Sequence, residues 1–110
     1  MPPIVMLYQC EATFTGETSV TYAAYPALDS IHRCILFVRQ MDNQADMKRA
    51  AETLAEWGWS DVVVKSTGAI QAESLNQPSM QIFRQHYEEC LEQGDSLVWY
   101  PEPPLIGLKR

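Results

Sequence analysis

Residues 30–64 read SIHRCILFVRQMDNQADMKRAAETLAEWGWSDVVV, and this stretch decides the fold class. Near its start are five consecutive apolar residues, Cys34 to Val38, a run that is typical of a buried strand. Because side chains alternate along a strand, Ile35 and Phe37 lie on the same side as Arg33. The remaining residues of the run face the other way, so the stretch predicts a strand with apolar groups on both faces.

A helix and a second strand follow within the same stretch. Apolar residues recur at helical spacing from about Asn43 to Trp57, and Asp42 or Asn43 can accept from the free N–H groups of the first turn. Gly58 suits the position after the last turn, where positive φ causes no Cβ clash. Asp61 then opens the strand that contains Val62, Val63 and Val64. The order strand, helix, glycine, strand is the central unit of the chain.

The flanking segments supply further elements. The alternation of apolar residues from Pro3 to Phe14 predicts a long strand. Residues 18–25 suit a returning hairpin strand, with a short irregular or helical segment as the alternative. Residues 66–77 are interpreted as a loop. A second amphipathic helix is predicted from about Pro78 to Gln93, and Gly94 ends it. Leu97 to Tyr100 are predicted to form the last strand.

These elements predict an α+β fold. Each helix has a single apolar stripe, so we expect one mixed β-sheet of four to five strands with both helices packed on one face, a ferredoxin-like character. The length of 110 residues indicates a single domain, over residues 1–101, with residues 102–110 as a C-terminal tail. If both helices cover one sheet face, the other face is left apolar and uncovered.

Composition limits the function classes. The apolar content is 46% and the net charge is −6, which is typical of a globular protein and disfavours binding to nucleic-acid phosphates. No apolar stretch approaches the roughly 20 residues that cross a bilayer, and the N-terminus lacks a basic signal-peptide region. We therefore expect a cytoplasmic protein. The three cysteines are interpreted as buried, reduced thiols.

The sequence contains none of the common nucleotide-binding or metal-hydrolase motifs, and we expect no cofactor, no metal and no catalytic residue. His32 and Cys34 share one strand face, and His86 lies one turn from Glu89 and Cys90. With a suitable partner such groups could form a metal or thiolate site. The pattern favours a strand-end histidine beside a buried thiol and a solvated helix flank instead. Whether the protein is an enzyme stays open, with the balance against it.

Large apolar side chains are the candidates for an interface. An uncovered sheet face would bring several of them together, and contiguous apolar patches of this kind usually mark a binding surface. Two such faces stacked together would give a homodimer. The predicted interface residues are Ile35, Phe37, Trp59, Trp99 and Tyr100.

Two functional hypotheses follow, and a third, a structural or regulatory domain of a larger assembly, has no sequence feature that separates it from the first. The first is a non-catalytic protein-binding or inhibitor protein, and its acidity is compatible with a basic partner. In size and acidity the chain resembles the stand-alone immunity proteins that neutralise bacterial toxins, although it shares no motif with them. The second is a dimeric α/β-barrel protein that binds a small molecule, and it could include an enzyme. It predicts a pocket that contains a polar residue such as His32, Arg33 or Tyr100.

Overall fold

The computed structural model describes residues 3–101, apart from the side chains of residues 72, 74, 79 and 82. The predicted tail at residues 102–110 lies outside the described residues. The elements in chain order are β1 (Ile4–Phe14), β2 (Ile31–Gln40), α1 (Met47–Glu56), β3 (Trp59–Ile70), two 3₁₀-helices (Ala72–Asn76 and Pro78–Phe83), α2 (Arg84–Gln93) and β4 (Asp95–Trp99).

The four strands form one open sheet in the order β3-β1-β2-β4, and every neighbouring pair is antiparallel. The α+β class is confirmed, whereas the prediction of a mixed sheet is wrong. α1 connects β2 and β3, which run in the same direction and would form a parallel pair if they were neighbours. β1 lies between them and is antiparallel to both, so the sheet has no parallel pair. The predicted ferredoxin-like character is not confirmed.

The two α-helices pack on opposite faces of the sheet, so the prediction that both lie on one face is wrong. Leu54 of α1 shares a buried cluster with Tyr8 and Leu36 of the sheet. Cys90 of α2 shares a different cluster with Phe37, which points to the other face. Because β1 and β2 carry apolar side chains on both faces, burial of both faces removes more apolar surface from water than two helices on one face.

Several predicted boundaries change. Residues 15–30 form an irregular connection between β1 and β2, which agrees with the alternative for residues 18–25 rather than with a strand. β3 continues to Ile70, well into the predicted loop. The predicted second helix is divided into a 3₁₀-helix and α2. Gly58 and Gly94 follow the two α-helices with φ values of 96° and 103°, as their positions in the sequence predict.

Candidate binding cleft

On the sheet face opposite α1, α2 and the two 3₁₀-helices cover only half of the surface. Phe37 and Ile70 are buried beneath α2 and the 3₁₀-helices. Toward the other end of the same face, the side chains of Ile31 and Val63 are 54% and 52% exposed. We call this region the open half-face, and it comprises Gln9, Glu11, Ile31, Arg33, Ile35, Val63, Lys65 and Tyr100.

Strand register places these side chains in rows across the sheet. Glu11 of β1 is paired with Arg33 of β2 and with Val63 of β3, so all three side chains share one face. The backbone N–H of Tyr100, just beyond β4, donates to the carbonyl oxygen of Arg33 at 2.9 Å and extends the row to the opposite edge. The row therefore spans the sheet and alternates apolar, acidic, basic and aromatic side chains.

A cleft of about 330 Å³ lies where the open half-face meets the 3₁₀-helices. Its volume is at the lower end of the range of about 300–1,000 Å³ that is usual for small-molecule sites. The apolar side chains that line it come from the sheet and from the second 3₁₀-helix: Leu7, Ile35, Phe37, Met80 and Phe83. Polar and charged lining is supplied by Gln9, Glu11, Arg33, Lys65 and Tyr100.

Charge in the cleft is unevenly paired. Lys65 Nζ lies 3.9 Å from Glu11 Oε1. The guanidinium of Arg33 lies 4.9 Å from the centroid of the Tyr100 ring, in a cation–π contact. Within residues 3–101 no carboxylate oxygen is within 4.0 Å of that guanidinium. Among residues 3–101, the cleft therefore has one cation, Lys65, that lies near an acid, and one cation, Arg33, that contacts an aromatic ring and has no carboxylate oxygen within 4.0 Å.

The predicted interface residues separate into two groups. Ile35, Phe37 and Tyr100 line the cleft, although Phe37 is fully buried and serves as its floor. Trp59 and Trp99 are not part of this face: each lies with its ring edge-on to His32, on the side of the sheet that α1 covers. The structure thus brings three of the five residues together, and no contact in it tests the predicted interface.

His32 is a core residue. Its Nδ1 lies 2.9 Å from the carbonyl oxygen of Tyr100, which can only accept, so Nδ1 carries the hydrogen. Its Nε2 is buried and has no hydrogen-bond partner within residues 3–101. The Cys34 thiol on the same face is also buried, and this burial raises its pKa to about 12. Among the described residues, no three histidine, cysteine or acidic side chains form a metal-binding group.

Ser96 joins two residues that the sequence singled out. Its hydroxyl donates to Glu89 Oε1 at 2.5 Å and lies 2.9 Å from His86 Nδ1. The serine, fully buried, stands between the acid and the histidine, whereas in a nucleophilic triad the histidine stands between the other two. The arrangement ties α2 to β4 and leaves the hydroxyl without a free base. Sequence reasoning missed Ser96, because its place opposite Phe37 follows from the strand register, which the sequence pattern does not encode.

Comparison with protein-family models, curated proteins and solved structures gave no match to this chain. Within residues 3–101, no helix has the length and apolar character needed to traverse a bilayer.

Proposed function

We propose that this protein is a non-catalytic binding protein that contacts another protein through the open half-face. The observation that carries the proposal is the pair of β-branched apolar side chains, Ile31 and Val63, which are 54% and 52% exposed on the half of this sheet face that α2 and the 3₁₀-helices leave uncovered. Apolar groups placed beside charged ones in this way are common at protein interfaces. An immunity-type inhibitor is one form that such a protein can take.

The positions of the candidate reactive groups support a binding role. Burial raises the pKa of Cys10 to about 11 and of Cys90 to about 12, which disfavours the thiolate that a nucleophile requires. His86 is engaged by Ser96 and stacks on Phe37. Each of these groups contributes to packing, and the side chains that remain exposed on the open half-face suit recognition better than bond cleavage.

The charge of the partner is a separate part of the proposal. The net charge of −6 over the whole chain favours a basic partner. The exposed acids that would steer it, such as Glu52 and Glu88, lie on the helices outside the open half-face, which itself carries two cations and one acid. A second copy of the chain, stacked through the same face, is the other occupant that we consider. A cytoplasmic location belongs to the proposal as well, since three reduced thiols suit a reducing compartment.

The test compares two pairs of substitutions, each of which introduces two positive charges into the full chain. Ile31→Lys with Val63→Lys alters the open half-face, while Met41→Lys with Met47→Lys alters two exposed apolar residues elsewhere and serves as the control. Each tagged variant is used for quantitative affinity capture from cells that make the protein, and its mass is measured in solution. We expect one protein to be recovered in near-stoichiometric amount with the wild type and the control, and at least tenfold less with the half-face variant.

Recovery of nothing stoichiometric by the wild type, or equal recovery by both variants, would contradict binding through this face. A dimer that the half-face variant abolishes would instead identify a second copy as the partner.

The cleft favours a second candidate function, the binding of a small molecule. It contains Arg33 and Tyr100, as this hypothesis predicts, and His32 lies elsewhere. A single chain forms an open sheet with β3 and β4 at its edges, so the barrel in the hypothesis would need two copies. Saturable binding of a small apolar molecule, with NMR shift changes confined to the cleft residues, is the result that would support this function.

A further inference from the structure

We infer that the cleft selects small apolar molecules that carry a carboxylate, and that Arg33 is the residue that pairs with it. The inference rests on the second candidate function, small-molecule binding, and specifies the chemistry of the ligand. Three features of the cleft carry it: an apolar floor, the ion pair between Lys65 and Glu11, and the Arg33 guanidinium, which has no carboxylate within 4.0 Å among residues 3–101.

The floor selects the body of the ligand. Leu7, Ile35 and Met80 offer aliphatic surface, and Phe83 adds a ring whose centroid lies 6.1 Å from that of the buried Phe37 beneath the cleft. Aromatic and sulfur-containing side chains pack well against a ring or a short chain. An opening of about 330 Å³ suits a molecule with one ring and a short spacer.

Lys65 is less available than Arg33 to pair with a ligand carboxylate, because Glu11 lies beside it. Lys65 lies near Glu11, so each already has a partner of opposite charge. A ligand amine that reached Glu11 would lie near both Lys65 and Arg33. Like charges brought together in this way are unfavourable, so the rim disfavours cationic ligands.

Arg33 selects the charged group of the ligand. Its guanidinium is held over the Tyr100 ring, which restricts the side chain before a ligand arrives. A planar guanidinium presents N–H donors in a fork that matches the two oxygens of a carboxylate. Since the side chain is exposed, water screens the pairing, and the selectivity that it provides is moderate.

The experiment uses three probes that share one body and differ in charge: 3-phenylpropionate, 3-phenylpropionamide and 3-phenylpropylamine. Each is titrated into the ¹⁵N-labelled full chain, and the affinity is taken from amide shifts. We expect the acid to bind about fivefold more tightly than the amide, as is typical of a partly screened ion pair. The amine should bind more weakly than the amide, and the shifts should be largest at Ile35, Phe83 and Tyr100.

Two substitutions separate the charge effect from the fold. Arg33→Gln should lower the affinity for the acid to that of the amide while the amide affinity stays the same. Lys48→Gln is the matched control, since Lys48 is an exposed cation on α1, on the other side of the sheet, and it should leave all three affinities unchanged. An amide spectrum with unchanged dispersion shows that each variant is folded.

The outcomes distinguish this inference from the function on which it rests. Equal binding of the acid and the amide, or an Arg33→Gln variant that keeps its preference for the acid, overturns the carboxylate assignment and leaves small-molecule binding intact. Absence of saturable binding by all three probes overturns both. Shifts that map to another surface overturn the assignment to the cleft.

Discussion

At the scale of single residues, a buried hydroxyl sets the start of α1. Tyr8 OH donates to Gln40 Oε1 and accepts from the backbone N–H of Asp46 at 2.9 Å. Asp46 caps the helix by accepting from the backbone N–H of Arg49 at 3.0 Å. The sequence predicted a cap at Asp42 or Asn43, but Asp42 accepts from Gln44 N in a turn of its own. Acceptors of similar strength lie close together here, and only the long-range contact to Tyr8 distinguishes them.

Tyr8→Phe should lower the free energy of unfolding by about 1–3 kcal/mol, because it leaves the buried Gln40 oxygen and the Asp46 N–H without their partner. Urea unfolding followed by circular dichroism measures the change. Tyr25→Phe is the control, since the Tyr25 side chain is 58% exposed, and it should change the free energy by less than about 0.5 kcal/mol. Equal effects of the two substitutions would show that the hydrogen bonds of the Tyr8 hydroxyl to Gln40 and Asp46 do not stabilise the fold.

The candidate site was partly predictable at the same scale. Ile35, Phe37 and Tyr100 were identified from their apolar or aromatic character and their place on a strand, and Arg33 from its position beside them. Glu11, Lys65 and Val63 were missed because they come from two other strands. Their approach to Arg33 depends on strand order and on register shifts between β1 and β3, which local pattern does not encode.

At the scale of elements, the strand–helix–strand unit was predictable, and the side on which each helix packs was not. The uninterrupted apolar run in β2 already indicated apolar groups on both faces, and such a strand needs cover on both. The mistaken expectation came from the single apolar stripe of each helix, which fits either face equally well. The end of α1 followed local rules closely, since Gly58 has positive φ and its N–H donates to Ala55 O at 3.0 Å.

Gly58→Ala should destabilise the fold by about 1–2 kcal/mol or more, because a residue with a side chain rarely adopts a φ of 96°. The added Cβ would also lie 3.0 Å from the Phe14 ring and 3.2 Å from the methyl group of Thr18. Gly68→Ala in β3 is the matched control, since its Cβ would meet nothing within 4 Å, and it should stabilise by about 0.5 kcal/mol. Thermal and urea unfolding of both variants measure the difference, and an equal loss in both would contradict the role of the Gly58 conformation.

At the scale of the whole molecule, three buried thiols make stability depend on alkaline pH. Burial raises the pKa of Cys10 to about 11, and of Cys34 and Cys90 to about 12, from an ordinary value of 9.0. Below pH 9 the thiols are protonated in both states and their burial stabilises the fold fully. Above pH 9 the unfolded chain loses these protons while the folded chain keeps them, so deprotonation favours unfolding.

We therefore expect the free energy of unfolding to fall between pH 9 and pH 11, by up to about 1.4 kcal/mol per pH unit for each thiol. Urea midpoints at pH 7.5, 9 and 10 measure this change. Cys34→Ala should show a shallower dependence than the wild type, whatever its stability at pH 7.5, because one titrating group is removed. A midpoint that is the same at pH 7.5 and pH 10 would contradict the expectation.

The order of strands in the sheet has a consequence for synthesis on the ribosome. β1 and β2 are the inner strands and are translated first, whereas β4, which covers the outer edge of β2, is translated after every other described element. Until β4 emerges, the outer edge of β2 has unpaired N–H and C=O groups, and its residues 34–38 are all apolar. Such an edge can pair with a strand of a neighbouring polypeptide. Slow translation upstream of β4 should therefore increase the demand for chaperones, and inclusion bodies should form more readily when elongation stalls there.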